Sequence, residues 1–132
     1  MKTTVKLALL LIVTVLGISC NTKSQSQSDA IKVITPTEFK EKSVNQILVD
    51  VRTPEEFEEG HIDGAININV NDEAFKEQIS KLDKSKPVFV YCRSGKRSAA
   101  AAAEMSKAGF KQVYDLEGGI LNWMKNNNEV IK

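Results

Sequence analysis

Val88-Phe89-Val90-Tyr91-Cys92-Arg93-Ser94-Gly95-Lys96-Arg97-Ser98 passes from four uninterrupted apolar residues, through a cysteine and a basic glycine-containing loop, into the alanine run Ala99 to Ala103. A continuously apolar run is what a strand buried on both faces requires. Alanine is the best helix former and has a small side chain, so the helix that follows is expected to lie close against its sheet. Strand, loop and helix in that order make one βα unit. The pattern repeats outward: strands are predicted at Lys32 to Ile34, Ile47 to Val51, Ala65 to Ile68, Val88 to Tyr91 and Gln112 to Tyr114. Between them, Thr35-Pro36-Thr37-Glu38 and Thr53-Pro54-Glu55-Glu56 each set Thr at the N-cap, Pro at N1 and Glu at N3 of a short helix. Longer helices are predicted over Asp72 to Leu82, Lys96 to Lys107 and Gly119 to Asn126. Strands alternating with helices predict an α/β domain: a mainly parallel sheet of about five strands, with helices on both faces.

Residues 31–127 account for that one domain, and 128–132 form a C-terminal tail. The chain is 132 residues long, enough for one ordinary core and too short for two. The first nineteen residues read differently. Lys2 and Lys6 give a positive start, Leu7 to Ile18 are mostly apolar, and Gly17 and Ser19 place small residues before Cys20. This is the pattern of a secretory signal, and its apolar core is shorter than the ~20 residues a membrane span needs. The junction Leu16-Gly17-Ile18-Ser19-Cys20 resembles a bacterial lipoprotein signal, which implies lipidation of Cys20 and an exported, envelope-anchored protein. It departs from that pattern in having Leu four residues before the Cys and Gly17 three before it, so cleavage after Ser19 without lipid is the alternative. Asn21 to Asp29 contain no apolar residue, and residues 20–30 are expected to be a flexible tether.

Charge excludes some partners. Without residues 1–19 the chain carries 16 basic and 17 acidic side chains, so no bulk field favours nucleic acid. The same segment retains two cysteines, Cys20 and Cys92. With Cys20 blocked by lipid, Cys92 would be a lone thiol in a compartment that favours disulfides, which suits a reacting group better than a structural one.

A thiol at the C-terminal end of a buried strand lies where open α/β folds gather ligands. A short loop curling into a helix N-terminus brings backbone N–H groups together around an anion, and the same field favours a thiolate nucleophile. Arg93, Lys96 and Arg97 add three positive charges to that loop. The expected guest is a small anion, held by Arg93, Ser94, Gly95, Lys96 and Arg97, with Cys92 as the catalytic nucleophile.

Cys92-Arg93-Ser94-Gly95-Lys96-Arg97-Ser98 resembles the active loop of single-domain rhodaneses, of the thiosulfate sulfurtransferase superfamily. Asp50-Val51-Arg52, Glu56-Phe57, Gly60-His61-Ile62, Gly64-Ala65 and Asp115-Leu116-x-Gly118-Gly119 with Trp123 resemble further landmarks of that family, in the expected order over roughly 31–127. The resemblance implies a three-layer rhodanese-like fold and a ping-pong reaction. In it the Cys92 thiolate takes the outer sulfur of thiosulfate, releases sulfite, and passes the persulfide sulfur to cyanide or a thiol. Neither metal nor organic cofactor is implied, and a monomer is expected. Phosphatases and arsenate reductases of related fold place five residues between Cys and Arg, whereas four separate Cys92 from Arg97. Phosphoryl transfer is therefore the weaker alternative, and a non-enzymatic persulfide carrier or docking module is another. His61, the sole histidine, is expected to be structural, Gly118-Gly119 to make a tight turn, and Trp123 to pack in the core. Asp50 and Arg52 would either brace the active loop or form a solvated pair, and the acidic run Glu55 to Glu59 reads as a solvated helix face.

Overall fold

The computed structural model describes residues 27–132. The signal segment 1–19, Cys20 and residues 21–26 of the tether lie outside them. Six helices and five strands alternate along the described chain: α1 Gln27–Ala30, β1 Ile31–Ile34, α2 Pro36–Lys42, β2 Ile47–Asp50, α3 Pro54–Glu59, β3 Ile66–Asn67, α4 Phe75–Ser80, β4 Val88–Tyr91, α5 Lys96–Lys107, β5 Val113–Leu116 and α6 Gly119–Lys125. The strands form one sheet in the order β1-β5-β4-β2-β3, and every pairing is parallel. The expected α/β architecture is thus the observed one.

Alternation along β4 divides the core. Val88 and Val90 of the strand, with Cys92 beyond it, face the side covered by α4 and α5, together with Phe75, Ile79, Ala101, Ala102 and Met105. Phe89 and Tyr91 face the opposite side, where Phe39 of α2 and Ile120 and Trp123 of α6 cover them. Phe39 is central there, meeting the rings of Phe89, Tyr91 and Trp123 edge-on at 5.4, 6.5 and 6.3 Å. Trp123 lies in the core as its position suggested, its Nε1 donating to Glu129 O at 2.8 Å. The segment 128–132 is docked, since His61 and Ile131 exchange two 2.8 Å backbone hydrogen bonds.

Element boundaries shift where side chains compete with backbone. α4 starts at Phe75 instead of Asp72, because the Asp72 carboxylate accepts from Ala74 N at 2.9 Å and holds a turn ahead of the helix. β5 runs on through Asp115 and Leu116, two residues past its predicted end, since aspartate is depleted in strands and gives no strand signal. Thr35 caps α2 with the complete reciprocal box, whereas at α3 the Thr53 hydroxyl receives Glu56 N while the Glu56 carboxylate turns mainly toward another chain segment.

The turn between β5 and α6 brings backbone against backbone. Ile120 N donates to Cys92 O at 2.9 Å and Leu121 N to Arg93 O at 3.2 Å, so the start of α6 is sewn to the chain leaving β4. Gly119 makes this approach with φ +63°, and a Cβ there would meet the carbonyl groups of Cys92 and Arg93, the former at 2.6 Å. Both the left-handed backbone and the collision are with groups that cannot swing aside. Gly119→Ala is therefore expected to lose about 2–4 kcal/mol of stability, visible as a lowered thermal midpoint. An unchanged midpoint would show that α6 can withdraw from the loop without penalty.

Candidate active site

The thiol of Cys92 lies at the end of β4, 1% exposed, beneath the loop that follows it. Gly95 closes the loop with φ +108°, a left-handed conformation suited to glycine, and so aims its N–H at Cys92 Sγ from 3.1 Å. Helix α5 begins at the next residue, where N–H groups lack intrahelical partners. Ser98, fully buried in its first turn, completes the contact: the thiol donates to Ser98 Oγ at 3.4 Å, and Ser98 donates to Gly95 O at 3.2 Å. The sulfur is held by a backbone donor on one side and a hydroxyl on the other. A small anion or a sulfur-bound anion is what such a setting accommodates.

The three loop cations occupy different places. Arg93 and Lys96 are exposed, free to reach toward an approaching anion. Arg97 is half-buried and makes a two-pronged pair with Glu56, at 2.7 and 2.9 Å. The Arg97 hydrogen bonds hold the Glu56 carboxyl down to about 2, so it remains ionised. The pairing also raises the Arg97 guanidinium above its ordinary value, with Cys92 close enough to contribute. Glu56 therefore corrects the reading of Glu55 to Glu59 as a solvated face: Glu55, Glu58 and Glu59 are exposed, but Glu56 is a fixed partner of the active loop.

Beneath the loop, Asp50 and Arg52 form a buried pair at 2.7 Å, with Asp50 fully enclosed and Arg52 6% exposed. They are not solvated. Arg52 also donates to Gly60 O at 2.6 Å and lies 5.7 Å from the Tyr91 ring, tying β2 to the end of α3 and to the residue before Cys92. Burial pushes the Tyr91 phenol well above its usual range, and its oxygen accepts from Ile62 N at 3.0 Å. His61 is occupied away from the thiol: Nδ1 meets Phe57 O at 2.9 Å, and its ring stacks on Phe57 at 3.7 Å.

Two recesses open on the surface, one of them beside the loop. A cleft of about 240 Å³ beside the loop is bordered by Arg52, Glu56, Arg93, Leu121 and Met124. A larger one of about 790 Å³ is bordered by Lys40, Ser43 to Gln46 and Asp63, which precede β2 and β3. It opens at the far edge of the sheet from Cys92 and takes no part in chemistry there.

Sequence patterns name Ser98 only as the end of the loop, and Glu56 and Asp115 only as landmarks of the resemblance; the structure brings all three to the loop and its thiol. Glu56 had a signal in Arg97, a cation in need of a carboxylate, but the pair spans 41 positions. Asp115 had one too, as a carboxylate beside an apolar strand.

Residues 35–126 match the family described as the rhodanese-like domain. An uncharacterized protein of Bacillus subtilis, YqhL, is 38% identical over 97 residues, covering 74% of this chain and 75% of its own. The thiosulfate sulfurtransferase GlpE of Shewanella oneidensis is 37% identical over 99 residues, covering 67% of this chain and 96% of its own. Among solved structures, a rhodanese-related protein of Thermoplasma volcanium superposes with a TM-score of 0.68 at 32% identity, covering 76% of this chain and 97% of that one. With the family matched over residues 35–126 and relatives at 37 and 38% identity, the chain belongs to the rhodanese-like family.

Proposed function

We propose that this protein is a sulfurtransferase that moves sulfane sulfur from thiosulfate, or a donor like it, to a thiophilic acceptor through a persulfide on Cys92. The observation that carries this reading is the Cys92 sulfur itself, met by the Gly95 N–H at 3.1 Å, in a loop flanked by the exposed Arg93 and Lys96. The family includes a relative that bears the name thiosulfate sulfurtransferase.

The chemistry divides into two displacements. The Cys92 thiolate attacks the outer sulfur of thiosulfate, an S–S bond forms, and the donor's S–S bond breaks with its electron pair leaving on sulfite. Cyanide or a thiolate then attacks the outer persulfide sulfur and regenerates the Cys92 thiolate. No net redox change or cofactor is needed. Arg93 and Lys96 attract the dianion, Gly95 N–H supports negative charge on sulfur, and the Glu56 pair holds Arg97 in one orientation.

Export and lipid attachment at Cys20 are part of the same reading. They rest on the apolar Leu7 to Ile18, the small residues at Gly17 and Ser19, and the polar tether beyond. Among the described residues no helix is long and apolar enough to cross a membrane; in this reading acyl chains on Cys20 provide the attachment.

Three outcomes are expected. Purified protein given thiosulfate and cyanide forms thiocyanate, and Cys92→Ser lowers the rate by about 10³-fold or more. Equal rates in both would end the enzymatic reading, while a one-sulfur mass gain at Cys92 without turnover would mark a carrier. Glu56→Gln frees Arg97 and raises KM for thiosulfate roughly three- to tenfold with little change in kcat. Because the Glu56 carboxyl is depressed, the pair contributes fully above its ordinary 4.5 and is lost only as pH falls through about 2, so acidification to pH 5 should not reproduce the Gln phenotype. Finally, the full-length protein partitions with detergent and Cys20→Ser does not; equal partitioning would defeat lipidation.

A further inference from the structure

Asp115 is a carboxylic acid inside the sheet, 3% exposed, with no partner for its Oδ1 among the described residues. It lies in register with Val90 of β4. Its neighbour Leu116 points to the α6 side and Val113 to the α5 side, so by alternation Asp115 shares the α5 face with Cys92. There its carboxyl meets the Ser98 hydroxyl. That hydroxyl also lies 3.4 Å from Cys92 Sγ and 3.2 Å from Gly95 O. The hydroxyl proton thus has Cys92 Sγ and Gly95 O within hydrogen-bonding distance, with the Asp115 carboxyl on the same face as a further acceptor. Burial, offset in part by Ser98, pushes the Asp115 carboxyl up to about 6.

The charged groups on neighbouring elements leave Asp115 to this single contact. Lys32 of β1 and Lys96 of α5 are exposed, Arg97 is taken by Glu56, Tyr114 alternates to the other face, and Glu117 is exposed; the side chains of α2 lie beyond the sheet. Cys92 is the titratable group that shares its face.

We propose that Asp115 is a positioning residue that sets the direction of the Ser98 hydrogen bond and thereby tunes the reactivity of Cys92. When Asp115 is neutral, its O–H donates to Ser98 Oγ, and the Ser98 proton is released toward the sulfur, supporting a thiolate or persulfide anion. When it is ionised, it claims the Ser98 proton and leaves the sulfur facing a lone pair, which disfavours the thiolate. A single proton, exchanged with solvent, converts one arrangement into the other. Binding of an anion in the loop favours the neutral form, so donor binding and proton uptake at Asp115 are coupled.

The coupling deepens the proposed role of Cys92 and rests on that residue being the reacting thiol. Alkylation by iodoacetamide reads the thiol without any sulfur donor, so loss of sulfur transfer and loss of the coupling are separate results. In the full-length protein, the rate of modification of the Cys92-containing peptide is followed by mass spectrometry from pH 4.5 to 9. The wild-type profile is expected to show a shoulder near pH 6 on the sigmoid of a lone thiol. Asp115→Asn, whose amide donates to Ser98 at every pH, removes the shoulder and speeds alkylation at neutral pH roughly tenfold. Ser98→Ala also removes the shoulder, without that acceleration. Superimposable wild-type and Asp115→Asn profiles would overturn the proposal, as would a shoulder that survives in Ser98→Ala.

Discussion

Two hydrogen bonds from the first turn of α6, Ile120 N to Cys92 O and Leu121 N to Arg93 O, hold the backbone of the active loop. In a planar trans peptide the N–H opposes the C=O, so fixing these carbonyls on α6 turns the N–H groups of Arg93 and Ser94 away from that helix. The loop can then close on Gly95, whose own N–H reaches the sulfur. The approach leaves no space for a side chain at position 119. A helix on one face of the sheet thus shapes a site on the edge, and the thiol's surroundings follow from backbone geometry before any charged side chain is considered.

Charge is then distributed by burial. Arg52 is enclosed and is matched by Asp50, since an unpaired cation there would be severely penalised. Arg97 is partly covered and matched by Glu56, a carboxylate kept ionised by the match itself. Arg93 and Lys96 are in water, where a charge needs no partner. The loop therefore combines one cation fixed in place with two that can follow a ligand. Asp115, buried without a cation, is the exception to this pattern and the reason its proton is available for regulation.

Features written in short-range chemistry were legible in the amino-acid order. Thr35-Pro36 and Thr53-Pro54 marked two helix starts correctly, β4 ended at Tyr91 as its apolar run indicated, and Lys96–Lys107 formed the alanine-rich helix. What escaped depends on contacts distant along the chain or on exceptions to propensity. The order β1-β5-β4-β2-β3 is a matter of crossover connections, which no local pattern encodes. Glu56 resembles its acidic neighbours until Arg97 is folded beside it. Asp115 lies past the predicted end of β5 at Tyr114, yet the strand continues through it, with its carboxyl on the α5 face near Ser98.

The parallel arrangement also orients the whole domain. β1 begins at Ile31 level with Val113, and Val113 is level with Val88, so the described chain enters the sheet at the edge where its strands start. Cys92 follows the end of β4, about 13 Å away along a four-residue strand. The point where the chain enters the sheet and the Cys92 thiol therefore lie at opposite edges, so whatever adjoins the residues before β1 leaves the mouth of the loop uncovered.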